Sequence, residues 1–381
     1  MKRLFLVNSS AVSRLYGIGS YVSIIFQLFK KDKIFKLIFV DFIRSEKEEY
    51  IEVSQISGAE VFCCHFNNRN LYNLPHHDLY NSLNEEYHIT KNDVFHFNTP
   101  NHYHLADIIK TKHNVHLVYT MHFDSFQLGE EQELTVQRET LLLKICNRII
   151  CLSEPILQRC SDHFKLETCN LSLLKTGVFL KRRYSSDKKN GIRSSFNILE
   201  GDFVILFNSR IHVQKGIYEL LKVLPMLLTE FPNLKLIVVG DGELSSALQL
   251  SLKCLGSIIF TGYIPRENKI IIDKLYQIAD LFVLPSNNEQ LSISFLEAAS
   301  YALPILVADI PSFASFPENS VFKVPLDTHG KVKIETLKKR LTEIIKDKPT
   351  RDIYSHNILH FIKKRYSAKK FHKELLNIYV K

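Results

Sequence analysis

In the stretch Ser286-Asn-Asn-Glu289-Gln-Leu-Ser-Ile-Ser-Phe-Leu-Glu297-Ala-Ala-Ser300, two acidic residues stand eight positions apart across a strand-to-helix junction. Carboxylates accept hydrogen bonds from neighbouring hydroxyls, so the arrangement suits a hydroxyl-rich ligand. Ala279-Asp-Leu-Phe-Val-Leu-Pro285 is a short apolar run closed by proline and reads as a buried parallel strand. Glu289 then falls at a strand's carboxyl end, where open α/β sheets place their ligands. A helix starting near Ser292 or Ser294, just after Leu291, brings unpaired N–H groups to the same crevice, a seat for a diphosphate. One carboxylate can grip a sugar and the other a ribose. Ser294-x-x-Glu297 also fits a capping box, in which Glu297 would only bond back to the helix start.

A second set of residues lies upstream. Phe207-Asn-Ser-Arg210-Ile-His-Val-Gln-Lys215-Gly216 follows one apolar strand and precedes the helical stripe of Leu220, Leu221, Leu224 and Leu227. Arginine clamps a phosphate through its planar fork, and a lysine five residues on supplies a point charge. Val239-Gly-Asp241-Gly242-Glu243 and Phe260-Thr-Gly262-Tyr263-Ile264 are glycine-bearing strand exits that let a backbone approach a ligand or simply turn. A nucleotide base fits along the backbone of the second.

These residues need a layered α/β frame. Leu4–Val7, Leu37–Val40, Val94–Phe97, Leu117–Thr120 and Arg148–Leu152 read as short buried strands. Between them are segments long enough for helices, the βαβ signature. Tyr21, Ile24, Ile25, Leu28 and Phe29 form a core-facing helical stripe after a loop holding Gly17 and Gly19. Lys30, Lys31, Lys33 and Lys36 beyond it read as a solvated helix terminus, with anionic lipid contact as the other reading. A second series opens with Phe203–Phe207 and continues through Leu234–Val239, Ile258–Phe260, Leu281–Leu284 and Ile305–Val307. The division predicted is an amino-terminal Rossmann-like domain over 1–178, a basic linker over 179–201, a second Rossmann-like domain over 202–350, and closing helices over 351–381 that pack back across the junction.

Composition sets the outer bounds. The chain has 381 residues, and 49 Lys+Arg against 40 Asp+Glu give a formal charge of +9. That balance favours phosphate-bearing ligands, anionic lipid or nucleic acid without choosing among them. Seven cysteines form no C-x-x-C pair, and their odd number argues against a disulfide framework or a zinc site. No apolar run approaches the roughly 18 residues of a membrane span, and the opening run is too short for a signal peptide. A cytoplasmic protein is expected, with peripheral contact to an anionic membrane as a possibility.

The order Gly17-x-Gly19, Arg210…Lys215-Gly216, Gly240-Asp-Gly242, Phe260-x-Gly262, Ala279-Asp280…Pro285-Ser286, then Glu289-x7-Glu297-Ala298, resembles the retaining glycosyltransferases of family 4, which have the GT-B fold. The likeness is strongest over 203–310. It implies two Rossmann-like domains facing a central cleft, the first on the acceptor side and the second binding a nucleotide sugar. It further implies that Arg210 and Lys215 hold the donor diphosphate, Glu297 the ribose and Glu289 the hexose. Gly17 and Gly19 would close near the phosphates, and His122, in Thr120-Met-His122-Phe, would lie by the reacting centre. Gln290 stands where the family usually has glycine, Thr176-Gly-Val-Phe179 replaces Asn-Gly-Val-Asp, and the first loop lacks a Gly-Gly pair.

The implied activity is metal-independent retaining transfer of a sugar from a nucleotide-diphosphate donor to a glycan, glycolipid or other cell-surface polysaccharide precursor, with no cofactor. Rival readings are a non-hydrolysing sugar-nucleotide epimerase on the same fold and a non-catalytic partner subunit. RNA binding is disfavoured because the aromatics sit in apolar strands rather than among exposed basic residues.

Overall fold

The computed structural model describes residues 1–9, 18–45, 49–67, 74–122, 133–164, 170–242, 256–265, 268–289 and 292–380. The chain forms two compact units, Met1–Gly177 together with Ala368–Lys381, and Val178–Ser367. Both are Rossmann-like α/β units, and the fold is GT-B.

In the second unit the strands are β9 (Phe203–Asn208), β10 (Leu234–Val239), β11 (Ile258–Gly262), β12 (Leu281–Leu284), β13 (Ile305–Ala308) and β14 (Phe322–Val324). They pair in the order β11-β10-β9-β12-β13-β14, all parallel. All four residues of β12 and of β13 are buried, because helices cover both faces of a parallel sheet. The strand order reverses between β9 and β12. At that switch point the loops leaving the two carboxyl ends diverge and open a crevice.

In the first unit the strands are β1 (Lys2–Ser9), β2 (Phe35–Arg44), β3 (Tyr50–Ile56), β4 (Ala59–Phe66), β5 (Val94–Phe97), β6 (His116–Met121), β7 (Arg148–Cys151) and β8 (Leu171–Leu173). Their order is β3-β4-β2-β1-β5-β6-β7-β8, parallel except for the β3–β4 hairpin. The hairpin and β8 were missed in the sequence. Ser57 and Gly58 both have positive φ (54° and 89°), the geometry of a two-residue hairpin turn, so the Ser-Gly dipeptide was the available signal.

Two segments differ from the division read in the sequence. The expected linker 179–201 carries a helix, Ser186–Ser194, and belongs to the second unit. Arg182 and Lys188 are exposed, but other basic residues of the segment bind back to the unit. Arg193 is 4% exposed and donates to the carbonyls of Ile278 (2.8 Å) and Asp202 (3.1 Å), and its guanidinium meets Asp280 at 2.6 Å. Lys189 reaches the same carboxylate at 2.7 Å. Of the closing helices, Lys348–Arg365 stays with the second unit, whereas Ala368–Val380 counts with the first. There Phe371, Leu375 and Tyr379 are buried.

Among the described residues no helix is long and apolar enough to cross a membrane. Five of the cysteines, at 63, 64, 146, 151 and 160, are free thiols, and Cys169 and Cys254 lie outside the described residues.

Candidate active site

Three loops at the carboxyl ends of β9, β10 and β12 are packed together through glycines. Gly216 has φ +71°, and a Cβ there would sit 2.2 Å from the carbonyl oxygen of Pro285. Gly240 (φ +128°) would meet Ser209 O at 2.0 Å, and Gly242 (φ +154°) would meet Ile211 O at 2.1 Å. No other residue tolerates both that backbone conformation and that approach. Polar contacts complete the seam: Gln214 O accepts from Ser286 Oγ at 2.8 Å and from Asn287 N at 3.0 Å.

This seam brings Lys215 to Glu289. Lys215 Nζ lies 2.7 Å from Glu289 Oε1, with side chains 15% and 9% exposed. The residues are 74 positions apart, and only the β9–β12 adjacency makes them neighbours. Ser312 Oγ donates to the Glu289 carbonyl and fixes that loop from the far side. Arg210 sits two residues past the end of β9 and is exposed.

Glu297 lies on the helix Ile293–Ser300. The helix is capped by Ser292, whose Oγ accepts from Phe295 N at 3.3 Å. Ser294 is therefore inside the helix, and the Ser294–Glu297 capping box does not form. Glu297 instead accepts from Tyr276 OH at 3.1 Å, and Tyr276 OH accepts from Asn208 Nδ2 at 2.8 Å. Burial, the largest effect, raises the Glu297 carboxyl above the usual carboxylate range, against the pull of Lys269 and the Tyr276 hydroxyl. Sequence reading passed over Asn208 and Tyr276, which look like ordinary strand-end and helix residues. Their link to Glu297 exists only in three dimensions.

On the outer side, Gly262 ends β11 with φ +67°, and its carbonyl accepts from Gly240 N at 3.0 Å. Tyr263 beyond it is 46% exposed, and Ile264 packs on the core. Gly17 and Leu291 lie outside the described residues.

Gly19 and His122 belong to the first unit. Gly19 is buried in the first turn of the helix Ile18–Phe29. His122 follows β6, its Nε2–H donating to Asn98 Oδ1 at 3.2 Å, while Asn98 Nδ2 donates to Val7 O at 3.1 Å. The ring also meets Tyr21 edge-on at 4.8 Å. Burial pushes His122 down to about 3, so the imidazole is neutral at ordinary pH. A chain of hydrogen bonds in the same unit ends at Tyr21: Tyr379 OH to His96 Nδ1 (2.6 Å), His96 Nε2 to Thr120 Oγ1 (2.7 Å) and Thr120 Oγ1 to Tyr21 OH (3.1 Å).

The class these features define is a GT-B chain whose second unit carries a cationic and an acidic loop at its topological switch point. Residues 188–360, within the second unit, match the family model described as glycosyl transferases group 1. Curated relatives include an uncharacterized glycosyltransferase of Methanocaldococcus jannaschii, 26% identical over 201 residues, which are 51% of this chain and 49% of the relative. The alpha-monoglucosyldiacylglycerol synthase of Streptococcus pneumoniae is 28% identical over 183 residues, 46% of this chain and 40% of the relative. The alignments thus span about half or less of these relatives' length. Among solved structures, Anabaena HepE in complex with UDP and glucose superposes with a TM-score of 0.75 over 99% of both chains at 15% identity, a likeness of fold.

Proposed function

We propose that this chain transfers a sugar, with retention of configuration, from a nucleotide-diphosphate donor to a hydroxyl of a glycan or glycolipid. The observation that carries this reading is the Lys215–Glu289 pair at the β9–β12 switch point, with Glu297 in the next helix. When the glycosidic bond of the donor breaks, negative charge builds on the departing diphosphate. Lys215, Arg210 and the N–H groups of the first turn after Ser292 stabilise that charge without reorganising, the contribution that usually dominates such catalysis. Glu289 orients Lys215 and takes the hexose hydroxyls, and Glu297, held by Tyr276, takes the ribose. Gly242 and Gly262, with the backbone of Tyr263 and Ile264, border the base.

This cationic set can do the work of a divalent ion, so the mechanism is metal-independent. The leaving phosphate oxygen takes the acceptor's proton, and no protein nucleophile is needed. His122, being neutral, contributes a hydrogen bond rather than a charge. Support for a glycolipid or polysaccharide acceptor comes from relatives such as the UDP-Gal:alpha-D-GlcNAc-diphosphoundecaprenol alpha-1,3-galactosyltransferase of Escherichia coli, 24% identical over 51% of each chain. Action at the cytoplasmic face of a membrane follows from that acceptor class.

The test is a thermal-shift panel of nucleotides and nucleotide sugars, because a ligand bound only by the native state raises the melting temperature. At least one nucleoside diphosphate and its sugar should raise it, and EDTA should leave both the shift and transfer unchanged. A panel without any shift would remove the reading; activity abolished by EDTA and restored by manganese would remove its metal-free part. Tyr276→Phe should weaken nucleotide binding about tenfold, or ~1.4 kcal/mol, by leaving Glu297 unheld. Calorimetric titration showing wild-type affinity would free Tyr276 of that role.

A further inference from the structure

The sheet of the first unit ends on one side in an open strand. Among the described residues β3 is the last strand of that sheet and pairs only with β4, in an unbroken antiparallel register from Tyr50↔His65 to Ile56↔Ala59. Tyr50, Ile51, Val53 and Ile56 are each between 40% and 51% exposed. Successive side chains of a strand point to opposite faces of the sheet, so β3 offers apolar surface to solvent on both.

Edge strands are ordinarily blunted by lysine, proline, a bulge or an inward-pointing charge, because their free N–H and C=O groups invite another strand. The strand Tyr-Ile-Glu-Val-Ser-Gln-Ile has none of these. Its one charged residue, Glu52, points to solvent with its carboxylate 3.9 Å from His65. The two-residue turn at Ser57 and Gly58 decides which backbone groups are free. Ile56 and Ala59 flank that turn and exchange both bonds, and bonded pairs alternate from there, so the N–H and C=O of Ile51, Val53 and Gln55 face outward.

The strand is complementary to its own copy. With a two-fold axis at Val53, the outward groups meet as Ile51 with Gln55 and Val53 with Val53, each pair exchanging two backbone bonds. Tyr50 then lies beside Ile56, an aromatic on a β-branched residue, and Glu52 beside Ser54, a carboxylate next to a hydroxyl. An axis one residue earlier would set Glu52 against Glu52, and one residue later would leave Tyr50 beyond the end of the opposing strand. The ends match as well. Glu49, exposed just before β3, comes opposite the turn of the other copy, where Gly58 lies against the Lys30 carbonyl and Lys31 and Lys33 are exposed. An acidic end meets a basic end on each side of the axis.

We propose that two copies of this chain associate through β3, joining the sheets of their first units into one continuous sheet about a two-fold axis at Val53. The occupant of the edge is a second copy rather than an unrelated strand because register, side-chain pairs and end charges are all complementary to themselves. The association does not depend on the transferase reading.

Sedimentation velocity on the intact chain, from low to high micromolar concentration, tests it. The wild type should pass from the 44.3 kDa monomer to a species of twice that mass. Val53→Lys and Val53→Asp each set like charges on the axis and should raise the dissociation constant by about a hundredfold or more, since apposed like charges cost several kcal/mol. Val53 is already exposed, so at concentrations where the wild type is monomeric neither variant should lower the melting temperature. Mixed in equal amounts, the two variants should regain the dimer, because lysine then faces aspartate. A wild type that stays monomeric overturns the proposal, as does a dimer that either variant leaves intact or that mixing fails to restore. Growth past the dimer into larger species, abolished by Val53→Lys, also overturns it, since the edge would then pair without closing on a two-fold axis.

Discussion

Lys215→Ala is expected to reduce sugar transfer by about a hundredfold or more, the scale of losing one preorganised contact to developing charge, and Glu289→Ala to do the same. The pair adds a second consequence that a surface loop cation would not have. Glu289 is 9% exposed and Lys215 15%, so removing the lysine leaves a carboxylate nearly out of water without its counter-charge. Breaking a buried pair from one side costs about 3 kcal/mol or more, whereas replacing both partners by uncharged groups of similar shape is often neutral. Lys215→Met/Glu289→Gln should therefore regain the stability lost in Lys215→Met while remaining at least about a hundredfold slow. Stability is read by denaturant unfolding and activity by release of nucleotide in the presence of acceptor. If the double variant recovered both, the pair would be a structural clamp and nothing more.

Acid should unfold the first unit before the second. Burial holds His76 at about 4 and His96 and His122 at about 3, and pushes the fully buried His102 well below its ordinary value. All four are in the first unit. Their folded values lie below the unfolded value near 6.5, so between 6.5 and the folded values the unfolded chain binds protons that the folded chain refuses. The stability they confer is complete above pH 6.5 and declines as pH falls, by on the order of 1 kcal/mol per histidine per pH unit. From pH 6.5 to 5 the first unit should lose on the order of 5 kcal/mol, enough to lower its melting temperature by about 10 °C or more. Glu297 in the second unit acts in the opposite sense. Its folded carboxyl is raised, so the cost of burying its charge is relieved as pH falls. Hydrogen exchange followed by mass spectrometry resolves the two units at each pH. Parallel loss of protection in both, or an unmoved first unit, would contradict the assignment.

The sequence by itself determined the two-unit α/β architecture and most of its strands. Apolar runs such as Leu234–Val239 and Leu281–Leu284 are continuous because both faces of a parallel strand are buried, a pattern that needs no partner to be read. It also placed Arg210, Lys215 and Glu289 in loops that leave strands at their carboxyl ends. Strand pairing and contact were decided only by the tertiary structure. The Ser294–Glu297 spacing fitted a capping box, yet the helix is capped by Ser292 and Glu297 turns to Tyr276. The basic run 179–201 looked like a solvated linker, yet Arg193 is buried against carbonyls supplied from as far as Ile278. Local spacing specifies what a residue can reach along its own helix or strand. Lys215 meeting Glu289, and Tyr276 meeting Glu297, depend on which strands and helices become neighbours, and that is set by packing over the whole chain.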